Sequence, residues 1–196
     1  ILKKAAEKNN SSDSFSNVDV GIFFNDSNKI VKDPYFNGDG PDRNGCVLCG
    51  GCMVGCRYNA KNTLDKNYLY LAEKLGVQIA PEKEVLYVKK NDTNGYVVSY
   101  KDSTGVLRSK GKVYADKVIF SGGVMGSVKL LFKCKSMGYL PLISNRLGDY
   151  VRTNSESILG IRSRSVSKTK DFTKGIAISS GFKPDGKTHI ETCRYG

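Results

Sequence analysis

The chain has 196 residues, 39% of them hydrophobic and 26% charged, with a formal net charge of +12. This suits a soluble globular protein with one core or two small ones, and no stretch approaches the roughly 20 apolar residues that cross a bilayer. Six cysteines in a chain this long do not make a small secreted disulfide scaffold, so reduced thiols and a cytoplasmic setting are expected.

The first residues, ILKKAAEKNN, carry no initiator Met and no apolar leader, and the chain stops at Arg194-Tyr195-Gly196 without a closing element. Both ends read as cuts in a longer protein. Ala5, Ala6 and the neighbouring lysines fit the end of a helix, and the Asn/Ser run that follows fits a loop. Val18–Phe24 (VDVGIFF) reads as a short strand, and residues 25–45, rich in Asn, Asp, Gly and Pro, read as loop. Leu64, Tyr68, Leu71, Ala72 and Leu75 recur at three- and four-residue steps, which predicts a helix over 64–75 capped by Asn62 or Thr63 and ended by Gly76. Val77–Ala80 reads as a strand. Glu84–Lys89, Tyr96–Tyr100 and Val106–Tyr114 then read as an antiparallel meander, turned by Asn94-Gly95 and Ser103-Thr104-Gly105. Lys117–Phe120 reads as a buried strand that runs through Ser121-Gly122-Gly123 into a helix. Nucleotide cofactors approach the backbone at such strand–glycine–helix units, because glycine has no Cβ to hold them off. Ile158–Ile161, Ile176–Ser180 and Thr188–Thr192 are the last strand candidates. The densest basic run, Arg162 to Lys170, lacks the interleaved aromatics of a single-strand binder and reads as a solvated loop, so no nucleic-acid partner is expected.

Cys46, Cys49, Cys52 and Cys56 are spaced C-x2-C-x2-C-x3-C, the spacing of bacterial iron–sulfur ligands. This spacing makes them candidate metal ligands, for a [4Fe–4S] cluster or for a tetrahedral zinc ion. Arg57 stands where the ferredoxin run has Pro, and no second such run exists. The competing reading is four inert thiols in a glycine-rich loop.

Longer strings carry a family resemblance. Asp33-Pro34-Tyr35-Phe36-Asn37-Gly38-Asp39-Gly40-Pro41, Gly51-Cys52-Met53-Val54-Gly55-Cys56-Arg57, Ala60-Lys61-Asn62-Thr63-Leu64, Ser121-Gly122-Gly123, Arg152-Thr153-Asn154-Ser155-Glu156-Ser157 and Thr188-His189-Ile190-Glu191 occur in that order. Together they resemble the glucose–methanol–choline (GMC) oxidoreductases, nearest their bacterial cholesterol-oxidase-like branch. The resemblance implies an α/β (α+β mixed) fold: part of a Rossmann-like FAD-binding domain carrying an antiparallel meander, plus part of a β-sheet substrate domain. It divides the chain into a loop-rich connection with the cysteines (1–62), part of the FAD-binding domain (63–145) and the start of the substrate domain (146–196). It implies FAD as cofactor and a small-molecule alcohol or sterol as substrate, oxidised by hydride transfer to the flavin. By the same resemblance Val85 meets the adenine, Ser121, Gly122 and Gly123 line the FAD cleft, and Glu191 is the active-site carboxylate. His189, the only histidine, is expected to be structural, and Asn154 to cap a turn. The family's N-terminal G-x-G-x-x-G turn and C-terminal His/Asn segment are absent from this sequence. The chain therefore reads as the middle third of such an enzyme, its partners the missing N- and C-terminal parts, and as given is not expected to hold FAD tightly. The alternative function is a ferredoxin-type electron-transfer module.

Overall fold

The computed structural model describes residues 1–160 and 173–195. They fall into two compact units, one of residues 1–78 with 173–195, the other of residues 79–160.

The first unit opens with helix α1 (Leu2–Lys8), which buries Ala6. Strands β1 (Ser16–Asn17), β7 (Ile178–Phe182) and β8 (Ile190–Cys193) form an antiparallel sheet in the order β1-β7-β8. The register pairs Ser16 with Gly181 and Phe182 with Ile190. Phe182 and Ala177 bring apolar side chains to this side of the unit, while Ala60 is buried in the loops. Within 25–45 the structure adds a two-residue hairpin ladder, β2 (Ile30–Val31) against β3 (Arg43–Asn44). The expected strand at 18–24 is reduced to a single bridge, Ile22 with Lys61.

The predicted helix over 64–75 is split. Leu64–Lys66 forms one 3-10 turn, and helix α2 covers only Tyr68–Lys74. Asn67 breaks the run at φ −134°, ψ −104°, and its side chain accepts the N–H of Tyr68 as a cap. Asn62, one of the expected caps, is engaged elsewhere: its Oδ1 accepts from Arg43 at 2.7 Å. Val77–Ala80 joins no ladder.

The second unit is built on the expected meander: β4 (Lys83–Lys90), β5 (Tyr96–Asp102) and β6 (Lys110–Ala115), all antiparallel. A bulge between Val85 and Tyr87 shifts the β4–β5 register. Gly95 (φ +71°) and Gly105 (φ +84°) take the left-handed turn positions that β-branched residues avoid. Helix α3 (Val124–Ser136) packs on β4: the Val88 N–H donates to Cys134 Sγ at 3.3 Å, and both residues are buried. The Tyr87 and Tyr139 rings sit 4.9 Å apart beside this contact.

Residues 117–120, expected as a buried strand, belong to no sheet, and Ile119 is 88% exposed. An apolar segment becomes a strand only when a neighbour satisfies its backbone groups, and none among the described residues does. Residues 158–160 form no strand, and position 161 and the basic run 162–170 lie outside the described residues. The described structure thus mixes helices with antiparallel sheets. No helix in it is long and apolar enough to cross a membrane.

Candidate functional site

The meander, the segment 118–122 and α3 enclose a cleft of about 570 Å³ in the second unit, within the size range of small-molecule sites. One wall is β4 from Lys83 to Val85, with Leu86 and Val88. The second is Val118 to Gly122, and the third is the α3 face carrying Gly126, Ser127, Lys129, Leu130 and Lys133. Three of the four residues expected to face a cofactor therefore meet here: Val85, Ser121 and Gly122. The fourth, Gly123, is the N-cap of α3, at φ +80°, ψ +156°. That region is essentially restricted to glycine. A Cβ at Gly123 or Gly126 would meet nothing within 4 Å, so a ligand can approach the backbone there. No side chain caps α3, which leaves its first-turn N–H groups for an outside acceptor.

Electrostatics favour an anion at this cleft. Lys83 is held by Asp102, a side-chain hydrogen bond that pushes its pKa up. Glu84 pairs with Lys101 at 2.9 Å, and that bond holds its carboxyl below the usual range. Lys129 and Lys133 lie one helical turn apart and add two more positive side chains to the wall. The sequence reading passed over this lysine pair; the i, i+4 spacing beginning three residues after Gly126 is the signal that marks it.

The four clustered cysteines line one small cavity in the first unit, with Ile22, Lys61 and Gly175 among its other walls. Its volume is about 10 Å³, about that of one water-sized sphere. A cube of four irons and four sulfides does not fit in that space. Among the described residues no group of three or more His, Cys, Asp or Glu is arranged to hold a metal ion. The expected cluster on Cys46, Cys49, Cys52 and Cys56 thus finds no support, and neither does zinc. Spacing in sequence brought the thiols to one cavity without aiming them at a common centre.

Glu191 lies on β8, in the first unit, and lines none of the cavities described here. Its Oε1 is 3.0 Å from His189 Nε2, its partner here. Arg194 instead donates to the Ile176 carbonyl at 2.8 Å. Asn154 donates from Nδ2 to Glu156 Oε2 at 2.6 Å and accepts the Glu156 N–H at 3.3 Å, as a turn-capping residue does.

The GMC oxidoreductase family model matches residues 40–149, more than half of the chain. The chain belongs to the GMC oxidoreductase family. The match takes in the cysteine loop, the meander and the glycine turn into α3. Two curated relatives align over the whole chain. One, a protein named cholesterol oxidase from Acinetobacter baumannii, is 44% identical, and the aligned region is 36% of its length. The other, also named cholesterol oxidase, from Mycobacterium tuberculosis (strain CDC 1551 / Oshkosh), is 41% identical over 35% of its length. The GMC segment described here thus spans about a third of the length of these relatives. No solved structure matches it significantly.

Proposed function

We propose that this chain is the cofactor-facing part of an FAD-dependent oxidoreductase that oxidises an alcohol, with a sterol as the first substrate to test. The single observation that carries the reading is the cleft in a GMC family member where Val85, Ser121 and Gly122 meet beside the uncapped start of α3. The residues present fit FAD. The glycines leave backbone room for the dinucleotide to lie along the turn into α3, while its pyrophosphate falls to the family's G-x-G-x-x-G turn, which this sequence does not contain. The Rossmann-like reading of this unit rests on the family resemblance and takes residues 117–120 as the strand that leads into the turn.

Bound flavin supplies the hydride acceptor for the alcohol carbon. The work of this chain is to hold and orient. Val85 offers backbone at the β4 bulge to a purine edge. Gly122 and Gly123 let the dinucleotide lie against the turn. Glu191 is the proposed carboxylate base. With His189 at 3.0 Å, it would take up the proton that the alcohol oxygen loses as its carbon gives up hydride, and share it with the imidazole.

The deciding experiment uses the protein isolated at its natural length. It should be yellow, with flavin absorbance that bleaches when a sterol or simpler alcohol is added without oxygen. Bleaching by cholesterol but not by short alcohols would identify the sterol. A colourless protein that does not take up added FAD overturns the proposal.

A further inference from the structure

The cysteine cavity has chemistry that the flavin reading does not use. Phe23 ties the two ends of the cysteine loop together. Its carbonyl accepts the Cys46 N–H at 2.9 Å and its own N–H donates to the Ala60 carbonyl at 2.8 Å. Cys46 and the stretch just after Cys56 are therefore held against one short segment, and both residues line the same water-sized space. Cys56 Sγ accepts two backbone N–H groups, from Ala60 and Lys61, each at 3.4 Å. A thiolate accepts such bonds far better than a thiol does, so this arrangement favours the nucleophilic form. Lys61 Nζ is anchored close by on the Cys52 carbonyl at 2.8 Å.

We propose that Cys56 and Cys46 are a reactive pair, with Cys56 the nucleophile and Cys46 the resolving thiol, oxidised to a disulfide by a small hydroperoxide. The Cys56 thiolate attacks the terminal peroxide oxygen. An S–O bond forms and the O–O bond breaks. The leaving oxygen takes a proton and departs as alcohol, or as water from hydrogen peroxide, and Cys56 becomes a sulfenic acid. Cys46 sulfur then attacks Cys56 sulfur. The S–S bond forms, the S–O bond breaks, and the hydroxide leaves as water with the Cys46 proton. Two thiols lose two electrons in all, and one hydroperoxide takes them up.

The electrostatics separate the two roles. Burial pushes the Cys56 thiol up, but the Lys61, Ala60 and Tyr58 N–H groups, with the charge of Lys66, outweigh it and leave it below its ordinary value. Burial pushes the Cys46 thiol up as well, the Leu48 N–H opposes that, and the neighbouring Cys52, Cys56 and Cys49 add to the rise. Cys56 therefore attacks first, while Cys46 keeps its proton until the second step.

The test treats the reduced full chain with hydrogen peroxide and maps its peptides by mass spectrometry. A Cys46–Cys56 disulfide, reversed by a dithiol, is expected. In Cys46→Ser the reaction should stop at the sulfenic acid, trapped on Cys56 by dimedone. In Cys56→Ser no disulfide should form on Cys46, and dimedone should label Cys46 about tenfold or more slowly than it labels Cys56 in Cys46→Ser. A disulfide joining any other pair, or preferential oxidation of the exposed Cys193 with Cys56 untouched, overturns the proposal. A measurement on the unmodified chain guards against misfolded variants. At neutral pH iodoacetamide should label half-buried Cys56 faster than exposed Cys193, and urea should abolish the difference. Slower labelling of Cys56 in the folded chain also overturns it.

Discussion

Asp33 organises the loop that follows it. Its carboxylate accepts the N–H groups of Tyr35, Phe36, Gly38 and Gly40 at 2.7 to 3.1 Å. Burial pushes the carboxyl up, but these four donors outweigh it and set it at about 2. The carboxyl titrates near 3.8 when the chain is unfolded. The bonds therefore stabilise fully above about pH 4 and fade as pH falls through about 2. Asp33→Asn should remove this pH dependence. Urea midpoints at pH 7 and pH 3 should differ less in the variant than in the parent, and an unchanged difference would refute the assignment. Arg43 is the other organiser, fully buried where the sequence suggests only polar loop. Its Nη2 donates to Asn62 Oδ1 at 2.7 Å and the Lys66 carbonyl at 2.6 Å, and its guanidinium lies 5.7 Å from the Tyr35 ring centre. Arg43→Lys puts an ammonium on a shorter stem, short of the point from which Nη2 reaches both acceptors. We expect a loss of about 1–3 kcal/mol in urea unfolding, from acceptors left buried and unmet. Loop composition hid this residue because its burial comes from partners 19 and 23 positions downstream.

At the scale of elements, legibility followed the range of the forces. The meander was readable because each strand pairs with its sequence neighbour through a turn whose glycine is visible. Helix α3 was readable for the same reason, since the glycine run that starts it is local. The helix over 64–75 failed at Asn67, where a side chain competing for the backbone outweighed periodicity. Leu64, Tyr68 and Leu75, its expected apolar face, remain exposed. The strand at 117–120 failed because a strand is a property of two chains segments together, and hydropathy reports only one. Of the candidate site, the glycine turn and Val85 were legible through family strings. The lysine pair on α3 and the closing of the cysteine ring around a water-sized space needed the fold. Gly123 decides how α3 starts. Gly123→Ala places a Cβ at φ +80°, ψ +156°, at a cost of about 1–3 kcal/mol. If that turn also receives the dinucleotide, the natural-length variant should lose flavin content measurably more than a stability-matched control away from the cleft, such as Phe182→Leu. Equal flavin loss in both would mean that Gly123 serves folding alone.

Over the whole molecule, the described core is slight. Ala6, Ala60, Val88, Cys134, Ala177 and Phe182 are the buried apolar residues, split between the two units. Large apolar side chains meanwhile lie open in the second unit, Ile119 at 88% and Leu142 at 93% exposed. Isolated apolar residues at a surface are ordinary, but a run with unpaired backbone beside exposed leucine and isoleucine invites cover. The curated relatives are nearly three times as long as the aligned segment, so each has chain to supply that cover. The 196-residue chain alone should therefore bind a hydrophobic dye such as ANS in its folded state and unfold with a shallow, low-temperature transition. Within the natural-length protein the same residues should be silent to the dye, and amides at 117–120 should be protected from hydrogen exchange as members of a ladder. Exchange at 117–120 that stays as fast in the long protein as in the short one would show that this segment is never a strand. The Rossmann-like reading of the second unit would then have to be given up, while the GMC membership, which rests on sequence, would stand.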